Sequence, residues 1–198
     1  MAEEIPWRFT EKDRIAFSGQ GLVPVLVDGA QVVSDSYAIA RHLERTRPDG
    51  PSLFGGPVGE GLAVLVRHWV EQTVHPPLLR VILPDLLRAL HEQDRAYFRE
   101  SREARFGRKL ERVAVPPEEG VPVLRHALAP ARLTLQAQPW LAGEAPAFPD
   151  YILFGAFMWA RAVSPVRLLE PEDPLFAWRE RLLDAFGGYA RAAPGYEG

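Results

Sequence analysis

Leu22-Val-Pro-Val-Leu-Val-Asp-Gly-Ala-Gln-Val-Val-Ser-Asp-Ser-Tyr-Ala-Ile-Ala-Arg-His-Leu-Glu44 is the stretch on which the reading of this chain turns. Pro24-Val-Leu-Val27 and Gln31-Val-Val33 flank Asp28-Gly29, a two-residue hairpin signal. Ser34-Asp-Ser36 then opens a helix with Ile39, Ala40 and Leu43 on one side. Proline cannot donate to a ladder, so Pro24 belongs at the start or edge of its strand. With a cis Val23–Pro24 bond, the backbone of Val23 turns outward and can pair with an extended, peptide-like ligand as an added strand. Asp35 and Ser36 fall at a helix N-terminus, where amides and the positive dipole end favour a carboxylate. The Ser36 hydroxyl adds a donor, and Asp35 suits the ammonium of the same α-amino acid head. The pattern thus predicts a ligand with a free amino acid head and a peptide bond about one strand-width away.

Upstream, Ile5, Trp7 and Phe9 alternate with Pro6 and Arg8, which predicts a short strand. Thr10 to Asp13 reads as a helix N-cap with acidic residues in the first turn, and Ser18-Gly-Gln-Gly21 stops that helix early. Downstream, Pro48-Asp-Gly-Pro51 ends the helix begun at Ser36, and a Gly- and Pro-rich linker runs to Gly61. Everything beyond reads helical. Leu62, Leu65, Val66, Trp69 and Val70 keep the 3.6 period, and Pro76-Pro77 and Pro84 are expected to kink or break the helix beyond Val70. Further helices are predicted over Asp94–Leu110, Leu124–Leu135 and Asp150–Val163, the last apolar on nearly all sides and hence buried. A final amphipathic helix carries Leu175, Trp178, Leu182 and Phe186 and stops at Gly187-Gly188. The domain reading is a mixed α/β unit over 1–50 and an all-α domain over 51–198.

The 198 residues, 47% of them hydrophobic, suffice for one good core or two small adjoining ones. Net charge is −3, from 23 basic and 26 acidic residues, with no clustered cations for nucleic acid or an anionic membrane surface. The basic-leaning stretch Arg99–Arg112 is interrupted by Glu100, Glu103 and Glu111 and reads as a solvated helix face. No apolar run reaches spanning length, and the acidic start lacks a signal-peptide pattern, which points to the cytoplasm. With no cysteine, this sequence holds no disulfide, Cys-type zinc site or thiol nucleophile. The five histidines show no i, i+4 pairing, so no metal site is expected, and they read as surface or half-buried residues. Trp69, Trp140, Trp159 and Trp178 are assigned to the bundle, with one of them a candidate lining of an apolar substrate pocket, and Tyr97, Phe98 and Arg102 to an ordinary helix face, with pocket lining as the alternative.

The Val-Pro-Val-Leu, Asp-Ser, Ala-Ile-Ala and Leu-Glu elements of 23–44 resemble the glutathione-binding half of the thioredoxin-like domain of cytosolic glutathione transferases. Tyr151-Ile-Leu-Phe-Gly-Ala-Phe after Asp150 is similar to that family's helical C-terminal domain. The implied fold class is α/β plus all-α: a truncated thioredoxin-like N-terminal domain followed by a glutathione-transferase-type helical domain. The resemblance implies that Val23, with cis Pro24, pairs with the cysteinyl backbone of glutathione, and that Asp35 and Ser36 meet its γ-glutamyl end. Glutathione is then the co-substrate, a small apolar or aromatic electrophile the acceptor, and a homodimer the expected assembly. Within the family, Asp94–Glu103 and Trp140–Tyr151 resemble the bacterial branch that includes lignin β-aryl-etherases.

Three features depart from the family pattern. The family has a strand and helix ahead of the Ile5 strand, and their turn carries the Tyr, Ser or Cys that contacts the glutathione sulfur. No residue of this sequence falls there, so the catalytic residue is unassigned, and Met1 is expected to be an internal start of a longer product. The second reading is accordingly a non-catalytic dimerisation or scaffold protein of the same fold. Leu22 stands where the family has a basic or amide residue, leaving Gln20 as the candidate for the glycine carboxylate. Ala147 stands at an N-cap usually held by Ser or Thr, a loss of about 1 kcal/mol, with Asp150 expected to help through the helix dipole.

Overall fold

The computed structural model describes residues 3–196. In chain order it has a 3-10 helix Lys12–Ser18, strands β1 (Val25–Asp28) and β2 (Gln31–Ser34), and helices α1 (Ser36–Thr46), α2 (Pro57–Trp69), α3 (His75–Ala89) and α4 (Glu92–Phe106). After a 3-10 turn at Leu110–Arg112 come α5 (Pro117–Ala127), α6 (Ala129–Ala137), α7 (Phe148–Val163) and α8 (Pro174–Ala192). The chain forms two compact units. One runs to Leu53 and includes Leu90–Gly107, and the other comprises Phe54–Ala89 and the chain from Arg108 onward.

In the first unit, β1 and β2 form an antiparallel hairpin with Val25 opposite Ser34 and Asp28 opposite Gln31. Its two-residue loop is Gly29-Ala30, one residue beyond the expected Asp28-Gly29, because Asp28 is the last residue of β1 and pairs with Gln31. Gly29 has φ +61° and Ala30 is not in the left-handed region, as a hairpin turn with glycine first requires. The carboxylate of Asp28 ties the end of β1 to α1. Asp28 Oδ2 lies 2.8 Å from Nε2 of the buried His42, and Arg47 Nη2 donates to Asp28 Oδ1 at 2.9 Å. His42 is therefore a buried clamp residue rather than a surface or half-buried one. The 3-10 helix buries Ile15 and stops at Gly19.

No strand forms at Ile5–Phe9, which corrects the sequence expectation. Pro6 has no N–H to give, and its carbonyl accepts from Arg14 Nη1 at 3.0 Å. The alternating aromatics are used differently: Phe9 packs edge-on against Phe98 of α4, with ring centroids 5.6 Å apart. Thr10 does not cap the 3-10 helix. Its N–H and hydroxyl donate to the buried Asp94 Oδ1 of α4 at 3.1 and 2.7 Å. Arg102 lies over the Phe98 ring at 4.8 Å, and burial lowers the pKa of its guanidinium.

The second unit is a helical bundle around α3 and α7. Pro84 and Pro122 lie inside its helices without ending them. Between α2 and α3 the chain widens into one π-turn, Val70–Val74, closed by the His75 N–H on Val70 O. That turn carries the helix into Pro76-Pro77, which lack donors. Pro84, inside α3, leaves Arg80 O without its helical partner, and the Val115 N–H takes that carbonyl at 3.0 Å. Gly120 of α5 permits a close approach to α3, since a Cβ there would lie 2.4 Å from Val81 Cγ2 and 2.7 Å from Val115 Cγ2. The predicted helix Leu124–Leu135 is instead two, α5 and α6, parted at Leu128 (φ −82°, ψ −2°) just ahead of Pro130. The last helix breaks at Ala185–Gly188, with Phe186, Gly187 and Gly188 all left-handed, and a short helical piece comes after it. Leu153 of α7 and Trp178 of α8 are fully buried in the core.

Asp150, also fully buried, organises the start of α7 far more than a dipole effect would. Its Oδ1 accepts from Leu141 N–H and from the Trp178 indole N–H, both at 2.8 Å. Its Oδ2 accepts from Ala147 N–H at 3.1 Å and Ala142 N–H at 3.3 Å. Half of a capping box is thereby kept even though Ala147 has no side-chain acceptor. Among the described residues, no helix is long and apolar enough to cross a membrane.

Candidate functional site

Antiparallel register places the candidate residues. Because Val25 lies opposite Ser34, the residues just outside the ladder, Pro24 and Asp35, fall at the same open end of the hairpin. The Val23–Pro24 peptide is cis, and Val23 is 48% exposed. Among the described residues, neither the N–H nor the carbonyl of Val23 has a hydrogen-bond partner. Gln20 reaches the same corner by donating from Nε2 to Leu22 O at 2.6 Å, next to Val23.

Asp35 caps α1 with an unusual backbone, φ +80° and ψ 130°. A non-glycine residue there is costly, of order 1–3 kcal/mol, and such outliers cluster at ligand sites and tight turns. Asp35 Oδ1 accepts from Tyr37 N–H at 3.0 Å and Ala38 N–H at 3.1 Å. The next turn closes normally, with Ile39 N–H on Asp35 O at 2.9 Å. Of the amides in this first turn, that of Ser36 remains, and both it and the Ser36 hydroxyl are exposed without a partner among the described residues. The positive end of α1 therefore presents an N–H, an O–H and a carboxylate at one corner.

The clamp of Asp28 on His42 and Arg47 fixes the closed end of the same hairpin against α1. Hydrogen bonds from His42 and then Arg47 hold the Asp28 carboxyl below its ordinary value. The open end is thus carried on a rigid base, as a binding corner needs.

Lys12 is not singled out by the sequence. Its Nζ donates to Gly21 O at 3.2 Å, which holds an ammonium near Gln20 and Leu22, and it also lies over the Tyr97 ring at 5.4 Å. The missed signal is the spacing: the short helix returns its first turn to the Gly19–Gly21 bend. Tyr97, Phe98 and Arg102 pack within the first unit. The second unit contains cavities of its own, lined by none of the candidate residues.

A short hairpin-and-helix piece of thioredoxin type together with an all-α bundle defines the fold class. Residues 61–170 match the family model of the glutathione S-transferase C-terminal domain, and residues 2–46 match that of the N-terminal domain. The chain belongs to the glutathione S-transferase family. It is 26% identical over 172 residues to a glutathione S-transferase-like protein, ustS, of Aspergillus flavus, over 80% of this chain and 57% of that protein. The chain thus spans little more than half the length of that curated relative. The fold is similar to that of the glutathione transferase GSTFuA3 from Phanerochaete chrysosporium, with a TM-score of 0.72 at 27% identity over 93% of this chain and 78% of the other. It is also similar to the glutathione S-transferase CsGST63524 of Ceriporiopsis subvermispora, solved in complex with glutathione. There the TM-score is 0.71 at 21% identity, covering 94% of this chain and 79% of the other.

Proposed function

We propose that this chain binds glutathione at the open end of the β1–β2 hairpin and presents its thiolate to a small apolar or aromatic electrophile. The observation that carries the reading is the register that sets Pro24 beside Asp35. In this reading the N–H and carbonyl of Val23 pair with the cysteinyl backbone in the manner of strand addition. The Ser36 amide and hydroxyl hold the γ-glutamyl carboxylate, and Asp35 holds its ammonium. Gln20 and Lys12 stand toward the glycine carboxylate. Family membership supports the same co-substrate.

The chemistry is a displacement. The glutathione thiolate attacks an electrophilic carbon, a C–S bond forms, and the leaving group departs with the electron pair. Catalysis consists of stabilising the thiolate by donors at its sulfur. No residue of this chain is assigned to that role. The resemblance to the β-aryl-etherase branch makes an aryl ether the acceptor to try first, with a phenolate leaving. The chain works as a homodimer in the cytoplasm in this reading, and its domains divide near residue 50.

A second reading keeps the fold and the glutathione corner but assigns a dimerisation or scaffold role. It is favoured by the lack of an assigned sulfur-contacting side chain. Calorimetric titration with glutathione, followed by a thiol-transfer assay on an activated chloroarene and an aryl ether, separates the two. Binding that Ser36→Ala weakens about tenfold, together with turnover, supports the transferase. Binding without turnover supports the scaffold, and absence of binding refutes both.

A further inference from the structure

The Lys12 ammonium is held by two groups of the first unit and meets no carboxylate among the described residues. One of its donors goes to Gly21 O at 3.2 Å, and the others have no acceptor among the described residues. Its stem lies close along Gly21, where a Cβ would sit 3.6 Å from Lys12 Cδ and 3.3 Å from Nζ. The second group is the half-buried ring of Tyr97 in α4, whose centroid is 5.4 Å from Nζ, within the reach of a cation–π contact. An acidic group of a ligand there meets an ammonium that is oriented and still able to donate.

Tyr97 reaches that place because α4 is fastened to the chain just ahead of Lys12. Arg8 Nη1 donates to Gln93 Oε1 at 3.0 Å, and Phe9 packs edge-on against Phe98 with centroids 5.6 Å apart. Thr10 gives its N–H and hydroxyl to Asp94 Oδ1 at 3.1 and 2.7 Å. Asp94 and Tyr97 share a helix face, so the contact that seizes Thr10 brings the next turn of α4 to Lys12. From the other side, the buried Ile15 anchors the 3-10 helix that begins at Lys12. A free lysine side chain has many rotamers to lose when it meets a ligand, and one already held has fewer.

We propose, on the reading of the corner as a glutathione site, that Tyr97 is one of its positioning residues: the ring face holds the Lys12 ammonium for the glycine carboxylate of the ligand. Helix α4 thereby takes part in recognising the third residue of the tripeptide, while the γ-glutamyl end is left to Asp35 and Ser36. The role belongs to the ring and not to the phenol hydroxyl, so phenylalanine serves in its place.

γ-Glutamylcysteine, which lacks the glycine, is the control ligand. In calorimetric titrations of the whole chain, glutathione is expected to bind more tightly than this dipeptide. Tyr97→Leu is expected to weaken glutathione about fivefold and to leave the dipeptide unchanged. Tyr97→Phe is expected to stay within about twofold of the parent chain for both ligands. A second readout needs no substitution. Lys12 and Lys109 are the lysines of the chain, so carbon-13 labelling of lysine resolves the Lys12 ε-methylene. Its protons are expected upfield of those of Lys109, through the ring current of Tyr97, and to move saturably with glutathione but not with the dipeptide. Equal losses on both ligands in Tyr97→Leu, a Tyr97→Phe chain as weak as Tyr97→Leu, or a Lys12 signal that both ligands shift alike would each overturn the proposal. If the parent chain binds neither ligand, the glutathione corner itself fails and this role falls with it. A dipeptide bound as tightly as glutathione leaves the corner standing and overturns the role of Tyr97 alone.

Discussion

The aspartates at the starts of α1 and α7 are used in opposite ways. At α7, Asp150 is fully buried, takes four N–H donors and belongs wholly to the architecture. At α1, Asp35 is exposed, sits in a left-handed backbone and leaves the neighbouring Ser36 donors facing solvent. The residue type and the helix dipole are common to both. What differs is whether the surrounding chain wraps the carboxylate or leaves it at an open hairpin end, and in the proposed reading that separates a structural role from a ligand-binding one.

The largest effect should come from the buried start. Asp150→Ala strands the Trp178 indole and the Leu141 and Ala147 amides in the core. The loss of stability is expected to be about 3–5 kcal/mol, read by denaturant unfolding. Asp150→Asn should recover part of it, because one acceptor oxygen remains. Next is Gly120→Ala, where the added methyl meets Val81 and Val115 of well-packed surroundings. It is expected to cost about 1–3 kcal/mol in the same measurement. If Asp150 proved no more costly than Asp35, the contrast would break.

At the open start the effect should fall on binding. Asp35→Asn keeps an oxygen for Tyr37 and Ala38 and is expected to change stability by less than about 0.5 kcal/mol. It removes the charge opposite the ligand's ammonium, so glutathione affinity should fall about tenfold by calorimetry, or about 1.4 kcal/mol. The smallest effect concerns Asp28. Its carboxyl is held below 3.8 in the folded protein, so its contribution is present above that value and is lost as pH falls through the folded value. Nuclear magnetic resonance titration of the Asp28 carboxyl should therefore place its midpoint below 3.8, and Asp28→Asn should abolish that acid dependence.

Much of this contrast was legible in the sequence, because the signals at residues 24–44 are local. A glycine at a hairpin loop, a proline at a strand start and Asp-Ser ahead of an apolar helical face each act over a few residues, although the loop falls at Gly29-Ala30 and not at Asp28-Gly29. The helical bundle was legible from its 3.6 period, including the buried helix that begins at Phe148. What failed were features decided at a distance. Ile5–Phe9 alternates like a strand, but Phe98 and Asp94, some 85 positions on, capture its aromatics and Thr10. The prolines of α2–α3 predicted a kink or a break, and which of the two could not be read locally: a π-turn and the remote Val115 amide let the helix run on. His42 read as a surface or half-buried histidine because its partner, Asp28, is reached only once the hairpin folds onto α1.

The central claim is that the open hairpin end, Val23 to Ser36, is where glutathione binds. The most direct test is amide chemical-shift mapping of the nitrogen-15-labelled chain during titration with reduced glutathione. The amides of Val23, Asp35 and Ser36 are expected to shift together along one saturable curve, while those at the start of α7 stay in place. A saturable response confined to other residues, or no response at millimolar glutathione, would contradict it.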